Sequence, residues 1–397
     1  MNILPPEFDE ALFLAEYWQK KPLLIRGRKP FVDPIGIPEI AGLACEEFIE
    51  SRLVVSDASR EKWQVHNGPF TEEFLKALPH SHWSLLVQAV DQWHDDVRGM
   101  LKDFDFIPNW RIDDVMISLA SDEGGVGPHF DYYDVFLVQG EGRKRWRLGG
   151  PVDSNSPIIP DTDLKLLKDF DTQEDWIVEP GDILYIPPNI AHYGVSIGNS
   201  VTYSIGFRTP SAVEVLDDLS NELMQGLHEE FRYTDKAPTR PSAPGKIDSQ
   251  VGADLLALLQ DHIADKQRLT RTFGKYMTQP KYPYLLEHSS PLTVEQLLTA
   301  FEGGLPLGRN PSSRFAYFEL EEPDAGHGFE LYVDGKAFAC PVSMESVLPQ
   351  LCDPFAPEIK WDRFAQENND CAELQVALYN QGSLWLIDQS DEDEESE

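Results

Sequence analysis

The stretch at 124–150, GGVGPHFDYYDVFLVQGEGRKRWRLGG, decides the fold. It reads as a Gly-rich turn, a strand rich in β-branched and aromatic residues (DVFLVQG, 134–140), a short turn at Gly140–Gly142, and a second strand. His129 and Asp131 stand at the mouth of the first strand. Side chains two residues apart on an extended chain project to the same side, so the imidazole and the carboxylate can reach one metal ion. A third ligand, His192, ends the run EPGDILYIPPNIAH at 179–192. His-x-Asp followed by a distant His is the ligand set of non-haem iron(II) oxygenases, which leaves the opposite metal face open.

Working outward, VMISLA (115–120), DVFLVQG (134–140), KRWRLGG (144–150), WIVEPGDILYIP (176–187), HYGVSI (192–197) and SVTYSIGFR (200–208) form a series of short strands without long intervening helices. That pattern favours a two-sheet jelly roll of the cupin kind, which has about eight strands. Ahead of it lies a mixed α/β lead-in: a helix over 8–20, a strand over 21–27, short helices over 38–51 and 71–78, and a longer helix over 83–102. Behind it, helices are expected over 211–231 and 249–268, separated by a Pro-, Thr- and Ser-rich loop at 234–247. Short helices over 293–302, 343–351 and 360–366 then alternate with the strands FAYFEL, GFELYVDG and GSLWLID. The expected organisation is a jelly-roll domain with its lead-in (1–208), a helical dimerisation segment (209–275), a winged-helix-like domain (276–390) and an acidic tail (391–397).

The chain carries 33 Lys and Arg against 68 Asp and Glu, a net charge of −35 over 397 residues. The tail DEDEESE supplies six of those acids, so the remainder is itself acidic. Such a surface repels nucleic-acid phosphates and anionic membranes and attracts basic proteins. Direct nucleic-acid binding is not expected even of the winged-helix-like segment, where acids far outnumber bases; it is expected to contact protein or orient the dimer. The four cysteines, Cys45, Cys340, Cys352 and Cys371, form no C-x-x-C pair, which argues against a zinc knuckle or a disulfide framework. With acids in its first residues, no long apolar core there and no membrane-length apolar run, the chain reads as soluble and cytoplasmic.

Spacing alone does not make a metal site. His94 and Asp96 share the His-x-Asp spacing, but on the expected 83–102 helix their side chains would diverge by about 200°. His129 and Asp131 could likewise be a turn histidine bonded to its neighbour; their place before a strand, and His192 at the start of another, favour the metal. On the following strand, alternation puts Lys144 and Trp146 on one face and Arg143 and Arg145 on the other. Burial of Trp146 would carry Lys144 inward, where an ammonium needs an anionic partner such as a co-substrate carboxylate.

With WQKKPLLIRG (18–27) and SVTYSIGFR (200–208), these motifs resemble the JmjC family of iron- and 2-oxoglutarate-dependent oxygenases, and within it the ribosomal oxygenases. The resemblance spans essentially the whole chain. It implies Fe(II) held by His129, Asp131 and His192, with 2-oxoglutarate and O2 as co-substrates. Lys144 would pair with the distal carboxylate of 2-oxoglutarate, where bacterial relatives often carry Arg, and Ser118 could offer it a hydroxyl. The implied reaction releases succinate and CO2 and adds a hydroxyl to the β carbon of an arginine in a large-subunit ribosomal protein, a basic substrate. Asp113 and Asp114, just before a strand, with Ser204, Tyr132 and Tyr133, are the candidates for holding the guanidinium. A homodimer is also implied. The alternatives are a histidyl hydroxylase or lysine demethylase of the same family, a non-oxidative metal-binding cupin, and an interaction protein with a decayed oxygenase core.

Overall fold

In the computed structural model the strands of the first half of the chain pair into two antiparallel sheets that face each other. The structure describes residues 3–27, 30–57, 62–160, 162, 164–227, 230, 232–234, 240, 243–286, 290–324, 326–355 and 369–387. They fall in two compact units, Met1–Thr209 and Pro210–Glu397. In the first unit, chain order runs α1 (Glu10–Glu16), β1 (Leu23–Ile25), α2 (Ile37–Leu43), β2 (Ser51–Asp57), β3 (Lys62–Asn67), α3 (Glu72–Lys76), β4 (Trp83–Val87) and α4 (Asp95–Gly99). Seven strands follow: β5 (Ile112–Ala120), β6 (Asp134–Gln139), β7 (Arg143–Pro151), β8 (Glu174–Val178), β9 (Ile183–Ile186), β10 (Ile190–Ile197) and β11 (Ser200–Phe207). The large sheet has the order β1-β9-β6-β11-β5-β4-β2-β3 and the small one β10-β7-β8.

Residues that alternate along β6 serve two cores. Val135 and Leu137 point between the sheets and pack with Trp146, Leu148, Val178 and Leu184. Phe136 points the other way, its ring 4.7 Å from Phe104 and 5.4 Å from Phe13 of α1. Every residue of β6 is therefore buried, which is why DVFLVQ reads as a continuous apolar run rather than a half-polar strand. Polar ties hold the lead-in to this core: the Tyr185 hydroxyl donates to buried Asp134 at 2.6 Å, and the Gln19 amide donates to that hydroxyl at 2.7 Å. Arg26, just past β1, pairs with buried Asp182 at 2.5 Å, and the same carboxylate accepts from the Glu179 amide to close the EPGD turn.

Four expectations differ from the structure. The segment 83–102 is not one helix: it opens with β4, passes through Ala89 at φ 53, and becomes helical again only in short turns. A short apolar run such as WSLLV cannot be told from a buried helix by periodicity. Strands β2 and β3 were also not anticipated; they and β4 extend the large sheet past the jelly-roll strands, and the helix foreseen over 38–51 ends at Leu43. Asp113 and Asp114 lie inside β5 rather than before it. The helix expected over 249–268 is two, because the Asp265 carboxylate accepts from the Arg268 amide and starts a new one.

The second unit contains α5 (Ala212–Gly226), α6 (Gln250–Ile263), α7 (Lys266–Met277) and α8 (Val294–Glu302), followed by strands β12 (Leu307–Arg309), β13 (Phe315–Asp324), β14 (His327–Val333), β15 (Lys336–Pro341) and β16 (Leu384–Leu386). Strands β13, β14 and β15 form an antiparallel sheet and β12 pairs with β16. Helix α7 crosses that sheet closely because Gly274 has no side chain; a Cβ there would fall 2.4 Å from the Tyr332 ring. Arg271 donates to buried Glu330 at 2.7 Å on the same contact. The helix expected over 360–366 and the tail 391–397 lie outside the described residues. No described helix is long and apolar enough to cross a membrane.

Phe136 touches rings from the lead-in, the 3-10 turn before β5, and strands β9 and β11. Phe136→Ala is expected to destabilise the first unit by about 3–5 kcal/mol. Faster hydrogen exchange of the β6 and β9 amides in the full chain would report it.

Candidate metal and co-substrate site

The segment 123–131 is not a strand of the large sheet; it is laced along β10 by backbone bonds. The amides of Glu123 and His129 donate to the carbonyls of Ser196 (3.1 Å) and His192 (3.0 Å), and the amides of Ser196, His192 and Asn189 donate back to Gly124 (2.9 Å), His129 (2.8 Å) and Asp131 (2.7 Å). The glycines of GGVG permit the approach: a Cβ on Gly125 would sit 2.3 Å from the Gly194 carbonyl oxygen, and Gly127 has φ +90°. This lacing brings the three predicted ligands together. Asp131 Oδ2 lies 3.5 Å from His192 Nε2 and 4.0 Å from His129 Nε2. It is the one group of three potential metal-ligating side chains with atoms within 4.8 Å of one another among the described residues.

Both imidazoles are oriented from behind. His129 Nδ1 lies 3.0 Å from the Gly127 carbonyl oxygen and His192 Nδ1 lies 2.9 Å from that of Ile190. A carbonyl there requires the proton on Nδ1 and leaves the Nε2 lone pairs facing Asp131, as a metal requires. Burial, aided by the neighbouring His192, pushes the His129 imidazole down to about 4, so it is neutral near pH 7. Burial alone would raise the Asp131 carboxyl, but the polar neighbours His192, His129 and Tyr133 outweigh it and hold it below its ordinary value. Two imidazoles that turn Nε2 towards one carboxylate, itself held in its ionised form, are the donor set of a divalent-metal site, so the residues present fit Fe(II).

Beside the ligands, a cavity of about 380 Å³ lies between the sheets. Lys144 enters it from β7, only 5% exposed, with Trp146 inward beside it and Arg143 and Arg145 outward. Its Nζ lies 3.4 Å from both the Ser118 and Thr202 hydroxyls, which face each other across β5 and β11, and 5.1 Å from the Trp146 ring. No carboxylate pairs with it among the described residues. Burial accordingly pushes the Lys144 ammonium down to about 8. The buried Trp146 N–H also has no partner. A buried cation and an orphaned donor aimed into one cavity await an anion.

Tyr132, Tyr133 and Ser204 line the same cavity. Asp113 and Asp114 do not line it, although both come within 3.9 Å of a Cβ built on Gly206, as does the Tyr133 ring. Asp113 lies 3.6 Å from the Arg208 guanidinium and Asp114 accepts from Gln88 at 2.7 Å. The Tyr133 hydroxyl bonds Asp131; burial first, then the three nearby carboxylates, raises it well above its usual value. His94 instead caps α4, its Nδ1 accepting from the Val97 amide, with Glu39 3.4 Å from its Nε2. Sequence reasoning missed Thr202, Arg52 and Ser84. The signal for Thr202 was present, since it stands two residues before Ser204 on one strand. Nothing marked Arg52 and Ser84, because their strands were not recognised.

A two-sheet jelly roll carrying a His–Asp–His site beside a buried cation defines a JmjC-type fold, and residues 99–215 match the JmjC domain model. Residues 261–385 match the ROXA-like winged helix. The Escherichia coli ribosomal protein uL16 3-hydroxylase is 39% identical over 271 residues, 68% of this chain and 71% of that one. A probable ribosomal oxygenase of Haemophilus influenzae is 39% identical over 227 residues, 55% of this chain and 54% of that one. The X-ray structure of Escherichia coli YcfD superposes with a TM-score of 0.82 at 32% identity, covering 98% of this chain and 100% of the other. The YcfD structure in complex with cobalt and 2-oxoglutarate gives 0.79 at 30% identity, covering 96% and 99%. The chain belongs to the JmjC-domain ribosomal oxygenases.

Lys144 yields a paired prediction. Its folded-state value of about 8 lies below the ordinary 10.5, so at pH 7 the metal-free, ligand-free protein holds a buried charge that the unfolded chain solvates. Lys144→Met is therefore expected to stabilise the empty protein at pH 7, by an amount on the order of 3 kcal/mol. Between about pH 8 and 10.5 the unfolded chain keeps the proton that the folded one has released, so wild-type stability rises and the gap closes. Urea titrations at pH 7 and pH 10 check both parts. The same variant is expected to lose measurable 2-oxoglutarate binding by calorimetry, and wild-type affinity should weaken as pH rises through 8.

Proposed function

We propose that this protein is an Fe(II)- and 2-oxoglutarate-dependent hydroxylase that adds a hydroxyl to the β carbon of an arginine in a large-subunit ribosomal protein. The observation that carries the reading is the buried, unpaired Lys144 in the cavity beside His129, Asp131 and His192. A five-carbon diacid suits that layout: its keto-acid end reaches the metal while its far carboxylate meets the ammonium and the Ser118 and Thr202 hydroxyls. The Escherichia coli relative is named a uL16 3-hydroxylase, and its structures contain cobalt with 2-oxoglutarate and cobalt with succinic acid. When bound, the iron with 2-oxoglutarate and O2 supplies the oxidising chemistry, in which the diacid becomes succinate and CO2 and one oxygen atom enters a C–H bond.

The chain's own residues bind and orient. His129, Asp131 and His192 would hold the metal, and the carbonyls of Gly127 and Ile190 hold the imidazole tautomers. Tyr133 steadies Asp131 through its hydroxyl. The peptide arginine enters past Tyr132 and Tyr133, whose rings can stack on a guanidinium, and meets Ser204 with Asp113 and Asp114 nearby. The acidic surface draws in a basic ribosomal protein, in the cytoplasm where such substrates are made. Helices α5 and α6 leave Val213, Leu216, Met224, Leu255, Leu256 and Leu259 exposed, an apolar set that a second copy of the chain would cover in a homodimer.

Incubated with Fe(II), 2-oxoglutarate and ribosomal-protein peptides, the protein is expected to release succinate and add one oxygen to an arginine-containing peptide, as read by mass spectrometry. His192→Ala should abolish both. An oxygen located on histidine, or a methyl group lost from lysine, would transfer the protein to another activity of its family. Leu256→Lys with Leu259→Lys is expected to halve the solution mass in sedimentation equilibrium; an unchanged mass would refute α6 as a dimer contact.

A further inference from the structure

We propose that Arg52 and Ser84 form a second polar subsite in the cavity, which takes a carboxylate borne by the peptide beside the residue to be hydroxylated. This rests on the reading of the cavity as a peptide hydroxylase site. Both residues line the cavity from strands that extend the large sheet beyond the jelly roll. Ser84 is 1% exposed and its hydroxyl has no hydrogen-bond partner. Arg52 is half-buried, and its guanidinium has no partner among the described residues. Lys165, exposed, lines the same cavity. A half-buried donor-only cation and, on the neighbouring strand, an orphaned hydroxyl together call for an acceptor with negative charge.

Register separates this subsite from the one around Lys144. Arg52 pairs with Leu86 and Leu86 with Ser118, so Arg52 stands in the same cross-strand row as the hydroxyls that Lys144 reaches, two strands further out. Two inter-strand spacings amount to about 10 Å, and an apolar leucine lies between. One small diacid that meets the metal and Lys144 does not need Arg52. Besides Lys144, the lining carries two further cations, Arg52 and Lys165, against one carboxylate, that of Asp131. A peptide acceptor that reaches Arg52 therefore gains, and a basic residue there is repelled.

The test uses the full-length protein with Fe(II) and 2-oxoglutarate, and arginine peptides carrying Glu, Gln or Lys at each flanking position in turn. At one position the Glu peptide is expected to show a KM at least about tenfold below that of the Gln peptide, in line with a charge-assisted hydrogen bond, with the Lys peptide worse still. Arg52→Ala should erase the difference, Arg52→Lys restore part of it, and Arg52→Glu reverse it towards the Lys peptide. Equal KM for the three wild-type peptides at every position overturns the proposal without relying on any variant. A raised KM for 2-oxoglutarate in Arg52→Ala, with the peptide KM unmoved, also overturns it, by making the acceptor a small free acid. Peptide binding followed by fluorescence polarisation with Co(II) and 2-oxoglutarate separates the two readings. Glu-selective binding without turnover would sink the hydroxylase assignment and leave the subsite standing.

Discussion

The reciprocal backbone pair between His129 and His192, two N–H···O bonds of 3.0 and 2.8 Å, is the constraint on which the rest of the site depends. Each imidazole belongs to a different part of the chain, and each is placed by the other's main chain. The segment that carries Asp131 has no sheet of its own; it takes its order from β10, which in turn is held against β7 over seven registered pairs. Beneath that pairing Gly194 clears the ring of Trp146, against which a Cβ would come within 2.7 Å. Trp146 shares its face of β7 with Lys144. Ligands, cavity wall and buried cation are thus consequences of one small sheet closing on one loop.

Much of this was legible in the residues. The alternation in RKRWRL assigned Lys144 and Trp146 inward and the arginines outward, as observed, because a strand has only two faces. The jelly-roll strands from 112 onward were readable for the same reason. The front of the chain resisted because WSLLV is buried on nearly every residue and so carries no period to read. The half-exposed β3 pairs only at the outer edge of the sheet, where the partner, not the local pattern, makes the strand. The cavity's outer residues, Arg52 and Ser84, were hidden with those strands. The setting of His94 was misread for the same cause: a helix was extended through a strand and a left-handed Ala89.

Lys144 shows how binding and stability pull apart. A methionine would pack there with less strain on the fold, and the lysine remains a cost until an anion arrives. The facing sheet cannot relieve that cost, since both hydroxyls it offers are neutral and Thr202 is also within reach of Gln139. The opposite strategy appears in the second unit, where Arg271 meets buried Glu330, and Tyr332 donates to the same carboxylate at 2.8 Å, leaving nothing for a ligand to complete. One unit keeps a charge open and the other closes it.

The lacing of 123–131 onto β10 has one more consequence. What fixes the ligand atoms is main chain, with glycines where the two backbones meet, whereas the rest of the cavity is lined by side chains of the facing sheet and the rim. The two layers meet at the ligands themselves and their immediate surroundings, with Val126 and Gly194 also reaching the cavity. The side chains at the rim can be exchanged one at a time without disturbing the frame, so a scaffold of this kind can acquire a new target by changing its lining while the ligand geometry is inherited intact.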